Sequence, residues 1–106
     1  AMISVAGVPT DRFLFLGFLP HKKGRQTLFK EIADSERTVI FYESTHRIIK
    51  ALTSLAEVLA PERRVVVGRE LTKKFETVYR GSALEILHQL EGGETRGEFV
   101  VVVEGK

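Results

Sequence analysis

Cysteine is absent from this chain of 106 residues. Its absence excludes a disulfide framework, a thiolate metal site and a cysteine nucleophile. No apolar run approaches the ~20 residues that span a bilayer, and no secretory signal is recognisable. We therefore expect one domain in the cytoplasm, without a membrane partner, and with enough buried surface to fold without covalent cross-links.

Common catalytic and cofactor motifs are missing as well. The chain contains neither of the two common phosphate-binding glycine motifs. Its three histidines are isolated in sequence, so they do not have the spacing of metal ligands. No Ser-His-Asp order is recognisable either. The residues alone therefore predict no metal site, identify no catalytic residue and do not indicate a self-contained enzyme.

Strand-like and helix-like patterns alternate along the chain. The predicted strands are residues 12–16, 38–42, 64–69, 75–80 and 99–103. Helical spacing predicts helices over residues 25–34, around the stripe Ile48, Leu52, Leu55 and Leu59, and after Ser82. Only a short turn separates the third and fourth strands, so they should be antiparallel. The order βαβαββαβ predicts an α/β domain with a mixed five-stranded sheet and three helices.

Three local signals refine this prediction. Ser44 or Thr45 is suited to be the N-cap of the second helix. Ser82 and Glu85 have the spacing of a capping box at the start of the third helix. The last strand, residues 99–103, has no polar alternation. It is therefore predicted at the centre of the sheet, covered on both faces.

Each of the first three predicted strands is followed by a polar segment. These segments are residues 17–25, 43–47 and 69–76. Strands joined through helices tend to run parallel with right-handed crossovers, so the first three strands should point the same way. Ligands of open α/β sheets bind at the carboxyl ends of the strands. We therefore expect the three segments to share one crevice.

The same segments concentrate basic residues. The whole chain has a formal net charge of only +2 at pH 7. The basic residues of the segments are Lys22, Lys23, Arg25, His46, Arg47, Arg69, Lys73 and Lys74. If the segments meet, these residues form a basic surface that suits the backbone of a nucleic acid. For any single one of them, a solvated side chain that only aids solubility is the favoured alternative.

Structural alternatives remain open for single residues at the strand ends. Glu43 stands near a helix start, where the dipole favours a carboxylate; the alternative is a capping or ion-pairing role, for example with Arg47. Cations at His46 and Arg47 oppose the dipole, which favours a functional interpretation. For His46 alone, an ordinary surface histidine is favoured over a catalytic base. For Arg69 and Glu70, a structural ion pair and a ligand contact are equally supported.

Five short motifs in one order and spacing carry a resemblance to a known family. They are Asp11-Arg12-Phe13, Gly17-Phe18-Leu19-Pro20, Phe41-Tyr42-Glu43-Ser44-Thr45-His46-Arg47, Arg69-Glu70-Leu71-Thr72-Lys73 with Glu76, and Gly97-Glu98. Together they resemble the ribosomal RNA small subunit methyltransferase I group, within the tetrapyrrole methylase superfamily. The resemblance covers nearly the whole chain, from about Ser4 to Gly105.

The resemblance implies a two-domain, homodimeric enzyme that uses S-adenosylmethionine. Its reaction would methylate the ribose 2′-hydroxyl of a cytidine in 16S rRNA of the small ribosomal subunit. Residues 12–106 would then be the C-terminal domain, and residues 1–11 an added start followed by an inter-domain connector. The N-terminal half, which supplies glycine-rich cofactor contacts in the family, is not in this chain. The resemblance therefore implies that the isolated fragment is inactive.

Candidate site residues follow from the resemblance and from the basic segments. By resemblance, the cofactor contacts are Phe18, Leu19, Tyr42, Glu43, Glu70, Leu71 and Thr72. From their charge and position, the predicted RNA contacts are Lys22, Lys23, Arg25, His46, Arg47, Arg69 and Lys73. Two alternatives stay open: half of a methylase acting on a tetrapyrrole, which the basic residues disfavour, and a non-catalytic RNA-binding module without a cofactor.

Overall fold

A computed structural model describes residues 13–71, 74–91 and 97–106, and the side chains of all of these except 71 and 74–76. The strands are β1 Phe13–Phe18, β2 Thr38–Ser44, β3 Val65–Leu71, β4 Lys74–Gly81 and β5 Glu98–Val103. The helices are α1 Arg25–Asp34, α2 Ile48–Val58 and α3 Ala83–Glu91. This order confirms the predicted α/β domain. Within the described ranges, no helix is both long enough and apolar enough to cross a membrane.

The sheet has the strand order β1-β2-β5-β3-β4. β1 pairs parallel with β2, whereas β5 lies between β2 and β3 and is antiparallel to both. β1, β2 and β3 consequently run in the same direction, as predicted. We call the end of the sheet where these three strands finish the upper end. The lower end is where β2 and β3 begin and β5 finishes.

β5 is the central strand, and residues on both of its faces are buried. Phe99, Val101 and Val103 are fully buried with residues of all three helices. Val100 and Val102 point to the opposite face, where the described part of their cluster consists of strand residues only. This arrangement confirms the prediction from the uninterrupted apolar run. The described helices thus pack on one face of the sheet.

α2 buries the stripe that its sequence predicts. Ile48, Leu52 and Leu55 are fully buried and Leu59 is 8 % exposed. The predicted N-cap at Ser44 or Thr45 is wrong. Ser44 remains in β2, opposite Glu98 of β5, and the cap position is Arg47, which makes no side-chain capping hydrogen bond. Pairing in the sheet therefore determines where this helix begins.

α3 begins at the lower end of the sheet with the predicted capping box. Gly81, the last residue of β4, is paired with Val65 at the start of β3. The Glu85 amide donates to Ser82 Oγ over 3.2 Å, and the Ser82 amide donates to Glu85 Oε1 over 2.9 Å. The hydrogen bond that the Glu85 carboxylate accepts from the Ser82 amide, and after it one with the Ser82 side chain, lower the pKa of the Glu85 carboxyl. This helix start is satisfied by its own side chains.

Arg63 ties the lower end of the sheet to the end of α1. Its Nη1 donates to the carbonyl of Ala33 over 2.6 Å, and its Nη2 to that of Ile32 over 3.4 Å. Its Nε donates to the carbonyl of Glu104 over 3.0 Å. Burial lowers the pKa of the Arg63 guanidinium, against the opposing effect of the Glu104 and Asp34 carboxylates. The guanidinium thus binds two carbonyls in the last turn of α1, where donors from within the helix run out, and one carbonyl after β5.

Candidate functional site

The strand register brings several predicted site residues to the upper end of the sheet. Phe18 is paired with Tyr42. Glu43 and Arg69 are both paired with Phe99 of the intervening β5. Since neighbouring strands lie about 4.8 Å apart, the backbones of Glu43 and Arg69 are about 10 Å apart. One end of the sheet therefore carries the ends of all three strands.

An exposed group of three rings lies at this end of the sheet, on the face away from the helices. We call Phe15, Phe18 and Tyr42 the aromatic cluster. The Tyr42 ring lies 5.3 Å from Phe15 and 5.4 Å from Phe18, measured between centroids. Tyr42 is 37 % exposed and Phe18 57 %. Exposed rings of this kind offer contact area to a flat or apolar ligand group.

Phe15 was not among the predicted site residues, and the reason is a β-bulge. In a regular strand, residues three apart point to opposite faces. The pairing of β1 with β2 shifts between Phe15 and Gly17, so Phe15 pairs with Ile40 and Phe18 with Tyr42. Ile40 and Tyr42 are two apart and share a face. The bulge therefore places Phe15 beside Phe18, which the sequence pattern alone did not indicate.

The remaining predicted cofactor contacts differ in how deeply they are buried. Glu70 is half-buried and paired with Glu98 of β5. Leu19 is 4 % exposed and belongs to the main hydrophobic core, so only its backbone is suited to contact a ligand. The predicted contacts at the Leu71 side chain and at Thr72 lie outside the described residues.

Arg25 and Glu43 form a buried ion pair beneath the upper end. Arg25 Nη2 donates to Glu43 Oε2 over 3.0 Å, and Nη1 donates to the carbonyl of Pro20 over 2.9 Å. The two side chains are only 9 % and 3 % exposed. Glu43 Oε1 also accepts the Ser44 amide over 3.1 Å. The pair therefore connects the loop after β1, the start of α1 and the end of β2.

This ion pair changes the interpretation of both residues. Glu43 pairs with Arg25, eighteen residues earlier, and not with Arg47 as the structural alternative suggested. Arg25 is a predicted RNA contact, but its guanidinium already donates hydrogen bonds to the Glu43 carboxylate and the Pro20 carbonyl. The sequence does contain a signal for this: Arg25, Phe29 and Ile32 have the spacing of one helix face. All three are buried, so Arg25 belongs to the inner face of α1.

A basic cleft of about 420 Å³ lies between the starts of α1 and α2. We call it the basic cleft; its lining residues are His21, Lys22, Arg25, Gln26, Arg47, Ile49, Lys50, Thr53 and Ser54. Besides Arg25, which is paired with Glu43, two predicted RNA contacts, Lys22 and Arg47, meet here although the sequence separates them widely. Lys50 is an addition that the prediction missed, because it lies within a helix and not in a segment after a strand.

The other predicted RNA contacts lie around the cleft or apart from it. Lys23 and His46 are exposed, and each is next in sequence to a lining residue. Arg69 is half-buried on β3, two strands away from Glu43 in the same row of the sheet. Lys73 lies outside the described residues. The structure thus assembles part of the predicted basic surface on the α1–α2 side of the upper end.

Comparison with known proteins relates this chain to methyltransferases. Residues 1–87 match the family described as Tetrapyrrole (Corrin/Porphyrin) Methylases. The ribosomal RNA small subunit methyltransferase I of Escherichia coli O157:H7 is 47 % identical over 97 % of this chain and 37 % of that protein. The protein of the same name from Pseudomonas aeruginosa is 44 % identical over 99 % of this chain and 38 % of its own length.

Two solved structures share the fold. The methyltransferase CobJ matches with a TM-score of 0.63 and 21 % identity, over 99 % of this chain and 47 % of its own. The cobalt precorrin-4 methyltransferase CbiF matches with a TM-score of 0.65 and 12 % identity, over 95 % of this chain and 46 % of its own. At such identities the likeness concerns the fold alone. This chain spans less than half of each of these four proteins.

Proposed function

Because the chain belongs to the tetrapyrrole (corrin/porphyrin) methylase family, we propose that it is the C-terminal domain of a two-domain methyltransferase that uses S-adenosylmethionine. The observation that carries this proposal is the convergence of Phe18, Tyr42 and Glu70 at the upper end of the sheet. Ligands of open α/β sheets bind at such strand ends. The domain then forms one wall of the cofactor cleft.

The residues at the upper end fit the chemistry of the proposed cofactor. S-adenosylmethionine combines an adenine ring with cationic sulfonium and ammonium groups, and when bound it supplies an electrophilic methyl group. The exposed rings of Phe18 and Tyr42 suit both a flat base and a cation. Glu70 adds a carboxylate of the opposite charge. Glu43 acts indirectly in this proposal, since its carboxylate holds Arg25 and thereby the loop that follows Phe18.

We propose ribosomal RNA as the substrate, and specifically the ribose 2′-hydroxyl of a cytidine in 16S rRNA. Identities of 44–47 % to proteins named ribosomal RNA small subunit methyltransferase I support this assignment. The basic cleft beside the upper end supports it further, because a polyanion needs cationic contacts. In this proposal the rest of the polypeptide supplies the second cofactor wall, and the full-length enzyme is a cytoplasmic homodimer.

The test uses the full-length protein that contains this domain. It is incubated with S-adenosylmethionine labelled in its methyl group and with small ribosomal subunits. We expect label on the ribose of one cytidine of the 16S rRNA. Labelling of an added corrin or porphyrin in place of the RNA would assign the domain to a tetrapyrrole methylase. Labelling of neither would contradict the proposed reaction.

A pair of variants locates the cofactor wall within the full-length enzyme. We expect Phe18→Ala to weaken S-adenosylmethionine binding in calorimetry, because Phe18 is exposed at the end of β1 that meets Tyr42. Phe13→Ala is the matched control, since Phe13 is also exposed on β1 but lies at its opposite end. Equal losses in both variants would contradict the proposed wall. The 106-residue chain alone should bind the cofactor weakly at best and show no turnover.

A further inference from the structure

The basic cleft differs from an ordinary small-molecule pocket in its lining. Its volume of about 420 Å³ falls within the roughly 300–1,000 Å³ of ligand sites. Such sites are lined predominantly by hydrophobic and aromatic side chains, however, whereas Ile49 is the single apolar side chain among the described residues that line this one. None of those lining residues carries a carboxylate. The lining therefore suits a strongly hydrated anion better than an apolar ligand.

The charge inside the cleft is not cancelled by the ion pair beneath it. Arg25 is neutralised by Glu43 at 3.0 Å. Lys22, Arg47 and Lys50 remain as cations facing one space, with His21 beside them. Clustered charge of one sign in a concave site raises the local concentration of the opposite ion. A polyanion gains most binding free energy from this arrangement, because its neighbouring charges also lie close to the cations.

The first turns of α1 and α2 also favour an anion in the basic cleft. Arg25 and Gln26 belong to the first turn of α1, and Ile49 and Lys50 to the first turn of α2. Neither helix has a side-chain cap hydrogen bond or an acidic residue in its first turn. The amino ends of helices carry partial positive charge and favour anions. Cations placed there cost stability, unless an anion occupies the site.

From these observations we infer that the basic cleft binds a phosphodiester group of the RNA substrate, with Lys22, Arg47 and Lys50 as its cationic contacts. Ser54 is suited to donate a hydroxyl hydrogen bond. Thr53 is not, because its Oγ1 already donates to the carbonyl of Ile49 over 2.8 Å. This inference rests on the proposed function and specifies where the RNA backbone is held.

The position of the cleft explains what such a contact would achieve. Lys22 follows Phe18 by four residues, and Arg47 follows Ser44 by three. Both therefore lie just beyond strand ends that form the proposed cofactor wall. A phosphate held here fixes the register of the RNA without reading its bases. It also restricts the approach of the ribose to the methyl donor, which is the positioning that catalysis needs.

The experiment measures binding of the full-length protein to 16S rRNA, over a series of salt concentrations. We expect Lys22→Ala/Lys50→Ala and Arg47→Ala each to lower the RNA affinity several-fold. The slope of log affinity against log salt should fall by about 0.7–0.9 for each phosphate that the variant no longer binds. Affinity for S-adenosylmethionine should not change. Lys50→Arg should retain the parent's slope, because it retains the charge.

Two controls come from the lower end of the sheet. Arg37 is exposed just before β2, and Lys106 is exposed at the last residue of the chain. Arg37→Ala and Lys106→Ala remove one charge each, but far from the cleft, so RNA affinity should stay at the parent's value. If they weaken RNA binding as much as the cleft variants do, the effect is general electrostatics, and the cleft inference is overturned.

The remaining outcomes show whether the cleft inference fails alone or together with the proposed function. If the parent methylates 16S rRNA and the cleft variants keep its affinity and salt slope, the cleft inference fails and the proposed function stands. If the parent neither binds nor methylates the RNA, the proposed function fails and the inference fails with it. Loss of RNA affinity in the cleft variants, with cofactor affinity intact, supports both.

Discussion

At the lower end of the sheet, α3 begins with a complete capping box, and Arg63 satisfies three backbone carbonyls. At the upper end, α1 and α2 begin without a side-chain cap hydrogen bond or a first-turn acid, and cations occupy those turns. The lower end is thus arranged as expected for stability alone. The upper end departs from the same rules in the same small domain.

This difference distinguishes basic side chains that bind other groups of the fold from basic side chains that are available to a ligand. Arg63 makes hydrogen bonds to the backbone, and Arg64 lies 3.6 Å from Glu104 in an ion pair. Arg25 is the counterpart of Arg63 at the upper end, because it also binds a backbone carbonyl, that of Pro20. Its side chain is buried. Lys22, Arg47 and Lys50 instead face a cleft without carboxylates among its described lining residues. Local departures from stabilising patterns are expected where a ligand binds.

The largest expected effect tests whether Arg25 is structural. Arg25→Met leaves the Glu43 carboxylate buried without its partner, which typically costs about 3–5 kcal/mol. The double variant Arg25→Met/Glu43→Leu should recover most of that loss, because neither charge remains buried. Urea unfolding of the 106-residue chain measures both. A double variant no more stable than the single one would contradict this account of the pair.

That measurement requires the 106-residue chain to fold cooperatively by itself, which we expect. Its helices and sheet bury a continuous core around Phe29, Phe41 and Phe99, all fully buried. Thermal melting followed by circular dichroism should show one cooperative transition. A melt without such a transition would mean that the rest of the polypeptide is needed for folding.

The next effect in size concerns the lower end. Arg63→Ala removes hydrogen bonds from a charged donor to three carbonyls, and we expect a loss of about 1.5–3 kcal/mol, the range for one such bond. Water can replace the others, because the site is only partly buried. Arg64→Ala is the matched control; its exposed ion pair is worth about 0–1 kcal/mol. Equal losses in thermal unfolding would contradict the distinct role of Arg63.

Much of this fold was predictable because it depends on local periodicity. The stripe of α2, the capping box of α3 and the apolar run of β5 each specify an element within a few residues. The direction of β1, β2 and β3 followed from their helical connections. The location of the candidate site was predictable in the same way, since the upper end is defined by strand direction.

The rest depended on contacts that a linear pattern does not specify. The Arg25–Glu43 pair joins two segments eighteen residues apart, and only the packing of α1 brings them together. The bulge after Phe15 changes the face of a single ring. The Ser44 side chain is suited to cap a helix, but its backbone pairs with β5 in the sheet. In each case tertiary pairing prevailed over a local preference.

The capping box gives the next prediction. Ser82→Ala should lower the free energy of unfolding by about 0.5–2 kcal/mol, because the Glu85 amide loses its hydrogen-bond acceptor. Gly81→Ala should also destabilise the chain, since Gly81 has φ 142° and an added Cβ would lie 2.9 Å from Glu85 Oε1. Urea unfolding measures both. A Ser82→Ala chain as stable as the parent would contradict the role of the cap.

The same cap predicts a pH dependence. The pKa of the Glu85 carboxyl is lowered in the folded chain from its ordinary value of 4.5, so the unfolded chain takes up the proton first as the pH falls. The contribution of Glu85 is therefore complete well above pH 4.5 and is lost as the pH falls through the lower, folded pKa. Glu85→Gln removes this titration. The stability difference between parent and Glu85→Gln should shrink on acidification; a constant difference would contradict the cap geometry.

The smallest expected effect tests the comparison between the two ends most directly. Lys50 is exposed in the first turn of α2, where a cation opposes the helix dipole. Lys50→Glu should therefore raise the free energy of unfolding by about 0.3–1 kcal/mol, with Lys50→Gln in between. In the full-length protein the same change should weaken RNA binding, because it places a carboxylate in the basic cleft. Urea unfolding and RNA titration at one salt concentration measure the two effects. A change that stabilises the domain and impairs its ligand identifies a residue retained for function at a cost in stability. If Lys50→Glu left RNA affinity unchanged, Lys50 would be an ordinary surface lysine, and the contrast between the two ends would no longer indicate a binding site.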